Sequence, residues 1–306
     1  MAFLDDYHQQ VALLVRVLPF VAADKDFALK GGTAINLFVR NLPRLSVDID
    51  LTFLPVADRP TSLAAIDAGM ARLADAITRG IPGSHVARTR KPPDNIITKL
   101  VVRAGETQIK IEVTPVLRGV VYAPQETDVA PAVEDAYGFA SIQLVSFADL
   151  YAGKIVAALD RQHPRDLFDV RDLLANEGIT EELREAFIAY LVSHDRPIAE
   201  VLAPTLKPLE EEFAHGFEGM TREAVPLEDL VAARDAIISE MIGGMPEHHR
   251  HFLMGFKRGT PDWSLLTVPT VRDLPAVRWK QINLDKLSAE KREAAAGKLE
   301  RVLFPG

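Results

Sequence analysis

The chain has 306 residues, 48% of them apolar and 25% charged, with no cysteine. That composition fits a globular protein with a sizeable core and excludes disulfides, thiolate metal sites and cysteine nucleophiles. A net charge of −8 excludes binding to nucleic acid or acidic lipid by bulk charge, though not through a local basic patch.

No apolar run approaches the roughly 20 residues of a membrane helix, and the acidic opening Met1-Ala-Phe-Leu-Asp-Asp6 is unlike a signal peptide. A cytoplasmic protein with no membrane partner is expected. In chain order, residues 4–20 place Val11, Leu13, Leu14 and Leu18 at helical intervals. Residues 27–30 form a short extended run ending at Gly31-Gly32, and Thr33 is placed to cap a helix over 34–40. Pro43 makes 41–44 a loop. Beyond Ser46 the period changes. Val47, Ile49 and Leu51 alternate with Asp48, Asp50 and Thr52, a strand with one apolar and one acidic face. A helix over 62–78 follows, then a hairpin of 96–103 and 107–114. The second hairpin strand sets Ile109, Ile111 and Val113 against Lys110 and Glu112. A proline-rich and polar segment, 115–131, then separates two regimes. Before it strands and helices mix; after it helical periodicity runs through 147–161, 165–176, 180–193, 199–214 and 227–242. A boundary near 140 divides the chain into 1–140 and a mainly helical 141–306, so the fold class is α+β. Residues 248–306 mix loop with a charged terminal helix.

Two stretches carry chemistry. In the first, Asp48 and Asp50 project from one strand face, where two like charges are disfavoured unless a cation sits between them. A pair of Mg²⁺ ions, or Mn²⁺, meets that need, because hard ions take oxygen ligands and bridge carboxylates to phosphates. Gly31-Gly32 ahead of a helix offers bare backbone N–H groups to phosphate oxygens. Glu112 fits a third carboxylate, and fits an ion pair with a neighbour such as Lys110 equally well. In the second stretch, Lys154, Arg161 and Arg165 fall in a narrow sector if 149–170 is one helix. Pro164 either kinks that helix or starts a new one. Such a row of cations suits a nucleoside triphosphate; the alternative is a solvated face laced with ion pairs.

With these residues in view, the chain resembles the AbiEii/AbiGii nucleotidyltransferase toxins of type IV toxin–antitoxin and abortive-infection operons, within the polymerase-β-like superfamily. The residues that carry the resemblance are Gly31-Gly32-Thr33-Ala34, Arg44-x-Ser46-x-Asp48-Ile49-Asp50-Leu51, and Asp149-Leu150 through Lys154 to Arg161 and Arg165-Asp166-x-x-Asp169. Leu274–Lys280 with Asn283-Leu284 is similar to the family's C-terminal segment; residues 180–260 carry no matching motif. The resemblance implies a small mixed sheet flanked by helices and then a helical lobe. It implies Asp48, Asp50 and Glu112 as metal-binding and catalytic carboxylates. Gly31, Gly32 and Thr33 would hold the triphosphate, with Ser46 beside them. Lys154 and Arg161, and with them Arg165, would contact the nucleotide, while Asp166 and Asp169 hold those cations in place or assist directly.

The implied reaction is transfer of a nucleoside monophosphate from an NTP to a hydroxyl. RNA, the 3′ end of tRNA foremost, is the first acceptor to consider, and Arg88, Arg90 and Lys91, with Arg103, form a short basic run that would serve it. A cognate antitoxin encoded nearby is implied, without direct binding being required. Two other readings use the same scaffold: modification of a small molecule such as an aminoglycoside, or of a protein, and a non-catalytic partner-binding role.

Overall fold

A computed structural model describes residues 2–305 of the protein. Two compact units emerge, one of residues 1–146 with 218–224, the other of 147–217 with 225–306.

The first unit is built on a seven-stranded mixed sheet of order β3-β4-β5-β2-β1-β7-β6. Its strands are β1 (Phe27–Lys30), β2 (Asp48–Phe53), β3 (Ser84–Lys91), β4 (Ile96–Ala104), β5 (Thr107–Val113), β6 (Gln125–Asp128) and β7 (Ser141–Leu144). Helix α1 (Ala2–Ala22) packs on β5 and β7, and α3 (Arg59–Gly80) on β3 and β4. The period-2 alternation of β2 and β5 buries Ile49, Leu51, Ile109 and Ile111. Asp48, Asp50 and Glu112 therefore share the opposite face. Antiparallel β1–β2 sets Lys30 opposite Asp50, parallel β2–β5 sets Asp50 opposite Glu112, and antiparallel β5–β4 sets Glu112 opposite Lys99.

Three features differ from the sequence expectation. The helix after β1 begins at the glycines themselves, as α2 (Gly31–Ala34), and continues as a π-helical turn over Ile35–Val39. Strands β3, β6 and β7 and helix α4 (Pro131–Tyr137) were not expected. β3 is mostly exposed, with few apolar residues, and β6 and β7 are four residues each, too short for a period to show. Because β7 completes the sheet beside β1, the first unit runs to Ser146 rather than to about 140.

The second unit is helical: α5 (Phe147–Arg161), α6 (Pro164–Asn176), α7 (Glu181–Ser193), α8 (Ile198–Leu202), α9 (Glu210–Gly216), α10 (Leu227–Ile238), α11 (Glu247–Arg258), α12 (Pro275–Asp285) and α13 (Ala289–Leu303). α5 packs on α7 and α6 on α10. The single helix expected over 199–214 is instead α8 and α9, because Pro204 and Pro208 break the run between them. Between α5 and α6 the chain turns at Gln162, whose φ is +54°. Its buried side chain donates to the Thr205 carbonyl at 2.8 Å and accepts from the Lys207 N–H at 3.0 Å, which holds the turn. Among the described residues no helix is long and apolar enough to cross a membrane.

Candidate active site

The turn after β1 is shaped by what lies against it. Gly31 has φ +77°, and a Cβ there would stand 2.5 Å from Asp50 Oδ2. A side chain would be strained by the backbone and would also displace the carboxylate. At Gly32 a Cβ would come 2.8 Å from the Arg44 guanidinium and 3.0 Å from Ser46 Oγ. Thr33 does not cap a helix: its hydroxyl donates to the Asp48 carbonyl and lies 3.1 Å from Ser46 Oγ. Asn36 Nδ2 donates to the Gly32 carbonyl at 2.9 Å. Turn and acidic strand are thus tied together at Thr33, and Gly31, Gly32, Thr33, Ser46, Asp48 and Asp50 form one locality.

The loop that carries Arg44 and Ser46 is held by the 218–224 segment. Leu45 N–H donates to the Met220 carbonyl at 3.0 Å, and Arg222 N–H to the Pro43 carbonyl at 2.8 Å. An Arg44–Thr221 bridge completes the clamp.

Register brings Glu112 into this group, since it stands directly opposite Asp50. Directly opposed residues on one face are about 5 Å apart between Cβ atoms. Four adjacent strands thereby contribute one charged residue each to a single line: Lys30, Asp50, Glu112 and Lys99. The two anions are central and the two cations flank them. Glu112 pairs with Lys99 at 2.6 Å, rather than with Lys110, and remains about half exposed. Burial lowers the Lys30 ammonium pKa, and the Asp50 charge partly restores it. A hard divalent cation fits these residues. Three carboxylates on one sheet face supply its oxygen donors, and the bare glycine at position 31 leaves the space beside Asp50 that a Cβ would fill.

The second unit gathers another set. Pro164 starts α6 as its first residue, and the turn at 162–163 folds α6 back so that Asp166 and Asp169, one helical turn apart, face Lys154 of α5. Lys154 Nζ lies 2.8 Å from Asp166 and 3.0 Å from Asp169, with all three side chains buried. Arg161 donates to both oxygens of Asp166, at 2.5 and 2.9 Å, while its side chain stays 62% exposed. Burial alone would raise the Asp166 pKa; Lys154 and Arg161 outweigh it and hold the carboxyl well below the usual carboxylate range. Arg165 is exposed, and its backbone N–H donates to His163 Nδ1 at 3.1 Å. The cations therefore do not form an open row: Lys154 is buried between Asp166 and Asp169, Arg161 reaches Asp166 from the surface, and Arg165 is exposed.

The basic run is also engaged. Arg88 pairs with Asp75 and Arg90 with Asp67 (2.9 Å), both on α3, and Arg103 Nε donates to Gln108 at 2.8 Å. Lys30 and Lys99 were missed as neighbours of the carboxylates. Lys30 could have been marked by its place just before Gly31-Gly32, but only strand register reveals Lys99.

A mixed sheet carrying an Asp-x-Asp strand beside a Gly-Gly turn, followed by a helical unit, is a nucleotidyltransferase fold. Consistent with this, the structure matches that of MenT4, a nucleotidyltransferase toxin from Mycobacterium tuberculosis H37Rv, with a TM-score of 0.60 and 15% sequence identity. The match covers 96% of this chain and 93% of that one. The family model described as "Nucleotidyl transferase AbiEii toxin, Type IV TA system" matches residues 12–280, and the chain belongs to that family. No curated protein matches the sequence. With the family come a nucleoside triphosphate substrate, a divalent metal in general use, and an antitoxin partner.

Proposed function

We propose that the protein is a cytoplasmic toxin that transfers a nucleoside monophosphate from an NTP to a hydroxyl of RNA, the 3′ end of tRNA foremost. The acceptor oxygen bonds to the α-phosphorus, the bond to the β-phosphate oxygen breaks, and pyrophosphate leaves. The hydroxyl proton passes to a carboxylate of the site or to water. The observation that carries this reading is the placement of Asp50 directly opposite Glu112, with Asp48 on the same face and Gly31 against Asp50.

Asp48, Asp50 and Glu112 would hold Mg²⁺ or Mn²⁺, which when bound lowers the acceptor hydroxyl's pKa and steadies the leaving pyrophosphate. For Glu112 to serve, its carboxylate must exchange Lys99 for that role. The N–H groups of Gly31 and Gly32 and the hydroxyls of Thr33 and Ser46 are the donors available to phosphate oxygens beside the acidic strand. In the helical unit Arg161 is the solvent-exposed member of its cluster and would supply charge to a triphosphate. Asp166 and Asp169 fix Lys154, which would contact the nucleotide; Arg165 would add charge from the start of α6.

RNA is placed first because a toxin must strike a component on which the whole cell depends, and an RNA 3′ end offers a free hydroxyl. Direct docking of the antitoxin is not required. The test is incubation with each α-³²P-labelled NTP, Mg²⁺ and total bacterial tRNA, with Asp48→Ala in parallel. Label on RNA that Asp48→Ala abolishes supports the reading. Label that goes only to a small molecule or a protein overturns the RNA acceptor and leaves the transfer chemistry standing.

A further inference from the structure

Residues 180–260 carry no motif in the sequence, yet they hold a group of metal-ligating side chains in the second unit. One ligand atom each of Glu181, His248 and His249 lies within 4.8 Å of the other two. Glu181 opens α7, where the Thr180 hydroxyl accepts from Leu183 N–H at 3.2 Å and fixes the first turn. His248 and His249 lie in the first turn of α11, which packs on α7.

Glu181 Oε1 is 3.6 Å from Nε2 of each histidine. That is long for a hydrogen bond. It is close to the spacing of about 3.4 Å between two ligands that each sit about 2.0–2.1 Å from a tetrahedral metal ion. His249 supplies a second, independent observation. It is fully buried, and neither of its ring nitrogens has a hydrogen-bond partner. Leaving a buried polar atom unpaired is costly and calls for a reason; ligation at Nε2 supplies one for that atom.

The surroundings agree. Glu185 is committed to the Thr267 N–H and hydroxyl, at 2.6 and 2.7 Å, and Arg184 donates to the Glu240 carbonyl at 3.0 Å. Glu181 is thus the carboxylate set against the two rings.

We propose that Glu181, His248 and His249 bind one divalent ion of the zinc class, pinning α7 to α11. Two imidazoles and one carboxylate select Zn²⁺, Co²⁺ or Ni²⁺ over Mg²⁺. The part-exposed His248 and Glu181 leave a coordination position open to water.

The test uses the full chain, stripped with chelator and titrated with Co²⁺ in excess Mg²⁺, followed by visible absorption and by thermal melting with and without Zn²⁺. The expected result is one equivalent of Co²⁺ bound and a Zn²⁺-dependent rise in melting temperature. His248→Ala and Glu181→Gln, both at exposed side chains, should weaken Co²⁺ binding at least about tenfold and abolish the Zn²⁺ shift. Their metal-free melting should match wild type, and Asp48→Asn should bind as wild type does. The proposal is overturned if wild type binds no Co²⁺ in excess Mg²⁺, if both exposed-site variants bind as tightly as wild type, or if Asp48→Asn removes the binding.

Discussion

Gly31 is the residue at which backbone, packing and chemistry meet. Its positive φ and the 2.5 Å approach of a Cβ to Asp50 Oδ2 predict that Gly31→Ala costs about 1–2 kcal/mol from the backbone alone. The displaced carboxylate should lower transfer beyond what that stability loss explains. Thermal melts and transfer rates on the same preparation check this; a variant with wild-type activity would separate Gly31 from the site. The Gly-Gly turn, the Asp-x-Asp strand and the shared face of Asp48 and Asp50 were legible, because a two-residue period fixes which side chains project together. The line from Lys30 to Lys99 was not. Register depends on which strands pair, and no spacing along the chain reports that β5 lies beside β2. Thr33 was misread for a similar reason: its hydroxyl finds the Asp48 carbonyl, fifteen residues on, before it can serve its own helix.

At the scale of elements, α5 and α6 are bound by a buried charge cluster whose members depend on one another. Removing Lys154 would leave Asp166 and Asp169 buried without their shared cation, and breaking such a pair costs about 3–5 kcal/mol. Lys154→Met should therefore lower the urea midpoint markedly, as well as weakening NTP binding. Arg161→Ala, at an exposed side chain, should lower the midpoint far less. Acid provides a second handle. The Asp166 pKa is lower in the folded protein than in the unfolded chain. Its contribution is therefore complete above the unfolded value of about 3.9 and is lost as pH falls below it. Urea midpoints at pH 5 and pH 3 should fall more in wild type than in Asp166→Asn; equal falls would contradict the assignment. The sequence left open whether Pro164 kinks a helix or starts one, and the turn at Gln162 decides for a new helix. That turn relies on Thr205 and Lys207, too far along the chain for local reading to reach.

For the whole molecule, charge is the property most easily misjudged from sequence. Arg88 and Arg90 read as a basic run, but α3 supplies Asp75 and Asp67 against them. With these arginines engaged, the run offers few phosphate contacts to an RNA acceptor. Raising salt from 50 to 200 mM should then raise the KM for tRNA by only about tenfold or less, and Arg90→Ala should leave it nearly unchanged. A steep salt dependence would point to a basic surface not identified among these residues. The α+β class and its mainly helical second half were legible from the change in periodicity. The contribution of 218–224 to the first unit was not, because it rests on contacts with residues 43–45. The central claim is that the carboxylate face beside Gly31 performs nucleotidyl transfer, and the most direct test is the rate of labelled transfer with Asp50→Asn. That variant keeps the shape of the side chain and removes its charge. The account predicts a loss of at least about 10²-fold at a temperature where the variant is still folded, with any fall in melting temperature traceable to the Lys30 charge that Asp50 offsets; transfer at the wild-type rate would contradict it.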